Sequence, residues 1–303
     1  MVITMEQNIH TPVMLKEVLD YLNLRPGLTI VDATVGTGGH SLAILERIGC
    51  EGRLIGIDRD AESLDIARER LKDYSGNSEF VYGNFSDINN ILKDLNVERI
   101  DGILFDLGIS SFQLQNAERG FSFQSEGPLD MRLDRSSYIS AYDLLNNLNE
   151  EEISNLLWTF GQERWHNRIA HILVKERERH PISTTLELSN IVINAIPDRY
   201  RRYHYRIHPA TRTFQAVRIA VNRELESLEQ ALTKSIGLLR KTARISVISF
   251  HSLEDRVVKL TFRKFASLGL IRIITPKPLT PTQSEIEENP RSRSAKLRVA
   301  QRL

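Results

Sequence analysis

The chain has 303 residues, with 40 Lys and Arg against 39 Asp and Glu, a formal net charge of +1 and one cysteine. A single cysteine, Cys50, excludes an internal disulfide and a metal site built from several thiolates. Apolar runs fall short of the roughly 20 residues that a membrane span needs, and the N-terminus has no export pattern, so we expect a cytoplasmic protein without a membrane segment. The length predicts two domains or one α/β domain with an insertion.

The first third of the chain alternates strand-like and helix-like segments. Short, β-branched apolar runs predict strands at 28–35, 53–58, 79–84 and 100–107. Apolar residues at helical spacing predict helices at 40–48, 60–71 and 86–95. Asp60 and Ser86 are the predicted N-caps of the second and third of these helices. This order predicts a parallel sheet with right-handed crossovers.

After residue 107 the alternation stops. Residues 111–139 are predicted to form a loop, and apolar spacing predicts helices at 140–148, 150–159, 163–179, 185–195 and, as one long helix, 209–240. Strand patterns return at 243–250, 270–275 and 296–300, with a helix at 253–267. We therefore expect one α/β sheet interrupted by a helical insertion, which has the size of a small domain.

A glycine-rich segment, 32–40, follows the first predicted strand and leads into a helix. Gly36, Gly38 and Gly39 allow positive φ and a close approach of the backbone to a ligand, beside the donors of a helix N-terminus. The dinucleotide fingerprint G-x-G-x-x-G is incomplete, because Ser41 stands at its third glycine. A turn of this kind can also be purely structural.

Two acidic residues favour a nucleoside cofactor at this turn. Asp58 ends the second predicted strand, where a carboxylate accepts both hydroxyls of an adenosine ribose. That feature does not separate NAD from S-adenosylmethionine. Asp32, four residues before the first glycine, favours S-adenosylmethionine, because it could face the ammonium end of that cofactor.

Candidate catalytic residues follow the fourth and fifth predicted strands of the sheet. Asp106 and Ser110 lie where ligands of open α/β sheets bind. An acceptor at this place suits methylation of an exocyclic amine, whose lone pair is delocalised into the base. The alternative for Asp106 is a cofactor contact without a chemical role. His251 is a candidate substrate contact, and a helix start formed by Ser252 with Asp255 is the competing structural interpretation.

Positive charge is concentrated in two zones. Residues 199–223 contain seven arginines, several tyrosines and no acid, and 289–303 contain four arginines, one lysine and no acid. The pattern predicts a polyanionic partner, against the plainer interpretation of a solvated helix face and a basic tail. Our candidate RNA-binding residues are Arg201, Arg202, Arg206, Arg212, Arg218, Arg291 and Arg293.

Taken together, the motifs resemble those of the bacterial 16S rRNA (cytosine-N4)-methyltransferase family, RsmH or MraW. The matching segments run in order along nearly the whole chain, at 10–15, 32–40, 57–60, 102–111, 119–123, 127–132, 208–219, 249–256 and 289–298. Several are long and are not shared with other methyltransferases, so the resemblance goes beyond the fold. One difference is Phe112, where the family usually has proline.

The resemblance implies a class I, Rossmann-like S-adenosylmethionine-dependent methyltransferase with a mostly parallel seven-stranded sheet. It implies a methyltransferase domain at 1–115 and 208–303 and an inserted helical substrate-recognition domain at 116–207. The implied reaction is methylation of N4 of one cytidine in the decoding, P-site region of 16S rRNA, within the small ribosomal subunit, by a monomer or homodimer. By position, the family's cofactor contacts correspond to Gly38, Gly39, His40, Asp58, Phe85, Asp106 and Gln113.

Three alternatives to this function stay open on the sequence alone. The glycine-rich turn and Asp58 also suit a dinucleotide-dependent oxidoreductase, although the third glycine is missing. A non-catalytic RNA-binding protein would require a degraded cofactor pocket, and another nucleobase could be the substrate. The remaining histidines lack metal-binding spacings, so we expect no metal.

Overall fold

The computed structural model describes residues 12–197 and 208–303, and within these ranges seven strands form one sheet. The strands are β1 (Thr29–Asp32), β2 (Arg53–Asp58), β3 (Ser78–Tyr82), β4 (Ile100–Asp106), β5 (Leu239–Ser249), β6 (Ile271–Ile273) and β7 (Lys296–Arg302). Their order is β3-β2-β1-β4-β5-β7-β6. Neighbours among the first five strands pair in parallel, whereas β7 is antiparallel to β5 and β6. The predicted mostly parallel seven-stranded sheet is confirmed.

Helices connect the strands and form most of the segment between β4 and β5. In the described residues they are α1 (Leu15–Leu22), α2 (Gly39–Ile48), α3 (Ala61–Arg70), α4 (Ile88–Asp94), α5 (Ser111–Gln115), α6 (Ala141–Asn147), α7 (Glu150–Gly161), α8 (His166–Arg177), α9 (Thr185–Ala195), α10 (Thr211–Asn222), α11 (Glu224–Leu238), α12 (Ser252–Ser267) and α13 (Gln283–Glu288). Among the described residues, no helix is both long and apolar enough to cross a bilayer.

The central strands are buried on both faces, as expected of parallel strands covered by helices. Alternate residues point to opposite faces, so Val31 and Ile103 join one apolar cluster while Ile30 and Leu104 join another. The first cluster includes residues of α4, α11 and α12, and the second includes residues of α1 and α2. Burial on both sides explains why these strands are continuous apolar runs in the sequence.

The chain divides into two compact units. One combines the described residues up to Gly108 with Leu225–Leu303, and the other is Ile109–Glu224. The second unit has its own apolar core, built from helices α6 to α10 and the loop before them. It begins earlier and ends later than the predicted insertion at 116–207, because α5 precedes that range and Phe214 and Val217 of α10 pack into the helical core.

The prediction of one long helix at 209–240 was wrong. Arg223 adopts a left-handed conformation (φ 49°, ψ 42°), which ends α10 at Asn222, and α11 starts at Glu224. A left-handed residue interrupts the helical hydrogen-bond ladder, which the apolar spacing on either side could not indicate. The break falls at the boundary of the two compact units.

Helix starts were predicted with mixed success. Asp60 caps α3 as predicted, its carboxylate accepting a hydrogen bond from the Glu62 N–H. Ser86 is not a cap: Asn84 accepts from the Ser86 N–H and starts a short 3-10 turn (Phe85–Asp87) ahead of α4. The predicted loop at 111–139 contains α5 at its beginning.

Candidate active site

Three aspartates lie at the carboxyl edge of the sheet. Asp32, Asp58 and Asp106 are the last residues of β1, β2 and β4, which are neighbours in the order β2-β1-β4. The register pairs Asp32 with Gly56 on one side and with Leu104 on the other, so the three strands end nearly level. This is the edge at which open α/β sheets bind their ligands.

Asp32 is almost fully buried and holds the glycine-rich turn in shape. Its Oδ2 accepts a hydrogen bond from Ser41 Oγ at 2.7 Å, and its Oδ1 accepts one from the Thr34 N–H at 3.2 Å. Burial raises its pKa to about 6, against the opposing effect of these two hydrogen bonds. Both oxygens of this predicted cofactor residue are thus bonded within the turn, a use that its position in the sequence did not indicate.

The glycines of the turn have distinct roles. Gly38 has φ 81° and precedes α2, and a Cβ there would lie 3.0 Å from Leu71 Cδ1. The N-cap residue of α2, Gly38, has no side chain with which to cap the helix, so the N–H groups of its first turn can donate to a ligand. Gly36 has its N–H engaged, because it donates to Asp58 Oδ2 at 2.8 Å.

Asp58 is held by backbone donors on both oxygens. Besides Gly36, the Asp60 N–H donates to its Oδ1 at 2.9 Å. Each carboxylate oxygen keeps a further acceptor site, so both ribose hydroxyls can still be accepted. Burial raises the pKa of Asp58.

Asp106 has an unsatisfied oxygen. Its Oδ1 is buried and makes no hydrogen bond with any described residue. Burial and the negative charges of Asp32 and Glu254 hold its pKa well above the usual range. Its own N–H donates to Thr34 Oγ1 at 2.6 Å, which ties the end of β4 to the turn after β1. A donor on a bound ligand would satisfy this acceptor.

His40, in the first turn of α2, lies against Asp106. Its Nδ1 is 3.5 Å from Asp106 Oδ2, and its Nε2 is 3.0 Å from the carbonyl oxygen of Val13. A carbonyl only accepts, so the Nε2 that lies at hydrogen-bond distance from it carries a proton. The imidazole of His40 therefore lies between the Val13 carbonyl and the Asp106 carboxylate.

Phe85 and His251 also lie at the ends of strands in this unit. Phe85 follows β3 and meets Phe105 edge to face, with ring centroids 5.7 Å apart, and it is half-buried. His251 caps α12: its Nδ1 accepts from the Glu254 N–H at 3.3 Å, and Glu254 Oε2 accepts from the His251 N–H at 3.3 Å. The alternative box of Ser252 with Asp255 was therefore wrong by one position.

Glu254 is the residue of this edge that the sequence interpretation missed. Its side chain is 3% exposed, and its Oε1 lies 3.2 Å from His251 Nε2. Its charge contributes to the raised pKa of Asp106. The spacing of His251 and Glu254 is that of a capping box, but histidine is not among the preferred caps, which explains the omission.

In the helical unit, Ser110 and Gln113 start α5. Ser110 Oγ accepts from the Gln113 N–H at 3.2 Å, and Gln113 Oε1 accepts from the Ser110 N–H at 2.9 Å. The pair is a capping box, with Gln113 buried. Both predicted site residues therefore have a structural use in their own unit.

The candidate RNA-binding residues fall into different environments. Arg201, Arg202 and Arg206 lie outside the described residues. Arg291 and Arg293 are exposed on a 3-10 turn (Pro290–Ser294) ahead of β7.

The two arginines of α10 also differ. Arg212 donates to the carbonyl of Gln162 at 3.1 Å from an exposed position. Arg218 forms a two-pronged ion pair with Glu224, at 2.9 and 2.8 Å, with little exposure of either side chain. The Arg218 guanidinium is therefore engaged within its own unit.

Comparison with known proteins shows the family of the chain. The sequence model of a protein family, described as the MraW methylase family, matches residues 7–303 of the chain. A protein of Halothermothrix orenii named ribosomal RNA small subunit methyltransferase H is 46% identical over 97% of this chain and 98% of its own length. Proteins of the same name from Geobacter sulfurreducens and Sulfurihydrogenibium azorense are 48% and 49% identical, each over 97% of this chain and 99% of their own length.

Proposed function

Because the chain belongs to the MraW methylase family, we propose that it methylates the exocyclic N4 of a cytidine in the P-site region of 16S rRNA. The coarser activity is that of the family: methylation of small-subunit rRNA with S-adenosylmethionine as the methyl donor. The observation that carries the finer proposal is that Oδ1 of Asp106 is buried and makes no hydrogen bond with any residue that the structure describes.

The residues present suit S-adenosylmethionine, which supplies an electrophilic methyl group on a positively charged sulfur. Three aspartates with raised pKa values end adjacent strands, and a cation at this edge relieves the cost of ionising them. Asp58 has acceptor sites for the ribose hydroxyls, and Phe85 offers an aromatic ring after β3 for the adenine. Gly38 has no side chain to obstruct the turn, and the uncapped start of α2 offers N–H donors.

Asp106 is assigned the acceptor role toward the amine. N4 of cytidine is a weak nucleophile because its lone pair is delocalised into the ring, and an acceptor that holds its hydrogens localises that pair. Oδ1 of Asp106 needs a donor, and an amino group supplies one. The raised pKa makes this carboxylate a stronger base than an ordinary aspartate.

His40 is assigned a supporting role in the proton balance. Methyl transfer to an amine leaves one proton to be removed, and Oδ1 of Asp106 is its first acceptor. The Nδ1 of His40, 3.5 Å from the other oxygen, is placed to share the resulting charge change, while the Val13 carbonyl fixes the ring orientation. His40 thus positions Asp106.

On the substrate side, exposed cations suit a phosphate backbone. Arg291 and Arg293 are exposed to solvent. The arginine-rich and tyrosine-rich sequence before α10 combines positive charge with aromatic rings on which bases can stack. The function of the helical unit as the substrate-recognition domain is part of this proposal. We also propose that the substrate is rRNA within the small ribosomal subunit.

An oxidoreductase fits less well. The dinucleotide fold has the strand order 3-2-1-4-5-6, whereas here antiparallel β7 lies between β5 and β6. A non-catalytic protein would have no need for a buried carboxylate oxygen that makes no hydrogen bond with any described residue beside the glycine-rich turn.

The test is transfer of a labelled methyl group from S-adenosylmethionine to small subunits, and separately to free rRNA, from a strain that lacks the modification. Nucleoside mass analysis should then find a new N4-methylcytidine or its 2'-O-methylated form. A different methylated nucleoside would overturn the cytidine assignment. No transfer to either substrate, with S-adenosylmethionine bound, would overturn the rRNA assignment.

A further inference from the structure

Two adjacent hollows open at the amino edge of the sheet, where β4 and β5 begin. They have volumes of about 540 and 510 Å³ and share Arg99 in their walls. The second, here named the basic hollow, is lined by Arg99, Leu239, Arg240, Lys241, Arg302 and Leu303. Four of its six lining residues have cationic side chains, and none of the described lining side chains is acidic.

A bulge in β5 places two of these cations. Ile100 pairs with Leu239, but Gly102 pairs with Arg244, so residues 240–243 are opposed by a single residue of β4. Within the bulge, Thr242 has φ 72°, a conformation that costs a β-branched residue energy. Bulges of this kind redirect side chains, and here Arg240 and Lys241 line the basic hollow.

The positive charge of the hollow is only partly neutralised. Arg240 Nε lies 3.3 Å from Asp101 Oδ1, a half-exposed pair of low strength. Arg99 and Arg302 donate to backbone carbonyls, those of Gly237 and Leu270. Lys241 forms no ion pair with any described residue. Three of the four cations thus keep their charge available.

We infer that the basic hollow binds phosphate groups of the rRNA backbone, as a contact separate from the catalytic edge. The inference rests on the proposed rRNA substrate. Arginine side chains form bidentate hydrogen bonds with phosphate oxygens. A hollow lined by several cations therefore suits a nucleic-acid backbone, which carries many phosphates, better than a single carboxylate group. Strand β4 runs from Ile100, beside the hollow, to Asp106, so the two places are roughly 20 Å apart at about 3.3 Å per residue. A structured rRNA can reach both at once.

The test uses a double charge reversal with a matched control. Arg240→Glu with Lys241→Glu changes the hollow, and Arg263→Glu with Lys264→Glu makes the same change of net charge at two exposed positions of α12. Binding of the full-length chain to small subunits and to rRNA is measured across a salt series, together with S-adenosylmethionine affinity. We expect the first variant to bind RNA about tenfold more weakly, with a salt slope reduced by about one unit for each phosphate it no longer binds. The control variant, Arg263→Glu with Lys264→Glu, should change the RNA affinity and the salt slope much less.

The outcomes separate this inference from the proposed function. If the wild-type chain neither binds nor methylates small subunits or rRNA, the proposed function fails. If it does both, but the two double variants behave alike, the basic hollow is not an RNA contact. Inorganic phosphate that binds to the hollow while RNA affinity is unchanged overturns the RNA assignment, as does an acidic protein captured there. Lys241→Glu against Lys264→Glu repeats the comparison if the double variant does not fold.

Discussion

The imidazole of His40 lies between Asp106 and Val13: its Nδ1 is 3.5 Å from the carboxylate Oδ2 and its Nε2 is 3.0 Å from the backbone carbonyl. This links the end of β4, the first turn of α2 and the segment before α1. One oxygen of the Asp106 carboxylate therefore lies beside a histidine, and the other, Oδ1, is buried and has no donor among the described residues.

Replacing Asp106 should separate binding from chemistry. Asp106→Asn keeps the shape but removes the negative acceptor, so we expect turnover to fall by about 10²- to 10⁴-fold. S-Adenosylmethionine affinity, measured by calorimetry, should fall far less. Asp58→Asn is the comparison, because Asp58 is assigned to the ribose, and there we expect affinity to fall most. Loss of cofactor affinity in Asp106→Asn as large as its loss of turnover would contradict the acceptor role.

Cofactor affinity should increase with pH through the range in which these aspartates ionise. The pKa of Asp32 is raised from 3.8 to about 6, so below about pH 6 the carboxyl group of Asp32 is protonated in the free protein. A bound cation favours the ionised carboxylate and therefore displaces that proton. The contribution of Asp32 to the affinity for S-adenosylmethionine should therefore increase as pH rises toward about 6 and level off above it. S-Adenosylhomocysteine lacks the sulfonium charge, so its affinity should change less; equal pH profiles for the two ligands would contradict the electrostatic argument. Calorimetry in buffers of different ionisation enthalpy counts the protons released.

The same shift predicts how stability depends on pH. Between 3.8 and about 6 the folded chain holds a proton on Asp32 that the unfolded chain has released. The contribution of Asp32 to the free energy of unfolding therefore falls as pH rises through this window. Asp32→Asn should remove that part of the pH dependence, measured by urea unfolding at several pH values. An unchanged profile would show that Asp32 does not titrate there.

The buried serines Ser41 and Ser63 form a matched pair for measuring what the hydrogen bond to Asp32 contributes to stability. Ser41 donates to Asp32 Oδ2, whereas Ser63 Oγ is buried and makes no hydrogen bond with a described residue. Ser41→Ala should lower the free energy of unfolding by about 1–3 kcal/mol, because it leaves a buried carboxylate oxygen without its donor. Ser63→Ala should be near neutral. Similar losses in the two variants would show that the hydrogen bond to Asp32 is not what stabilises the turn.

His251 should act as a helix cap. His251→Ala should cost about 1 kcal/mol, and His251→Asn should restore most of it, because asparagine is a good N-cap. Ser252→Ala should have little effect, since Ser252 is already inside α12. Denaturant unfolding measures stability and a methyl-transfer assay measures turnover. If His251→Asn recovers stability but not turnover, His251 also has a role in the reaction.

Part of this protein can be derived from its sequence, because periodicity and capping are local properties. The order of strands and helices, the glycine-rich turn and the acidic strand ends of the sheet all appear as short patterns, and parallel pairing brings Asp32, Asp58 and Asp106 to one edge. The family also follows from motifs along the chain. Mechanistic roles inferred from these patterns, such as those of Asp106 and Arg201, stay predictions.

The tertiary structure decided what depends on partners distant in sequence. Whether Asp32 faces a ligand or holds the turn depends on Ser41, and whether Arg218 is available to a phosphate depends on Glu224. The helix break at Arg223 and the bulge at Thr242 are single backbone conformations with positive φ, which leave no periodic trace in neighbouring residues. Such features are set by packing and hydrogen bonding in three dimensions, because the local cost of the conformation is offset only by contacts made elsewhere in the fold.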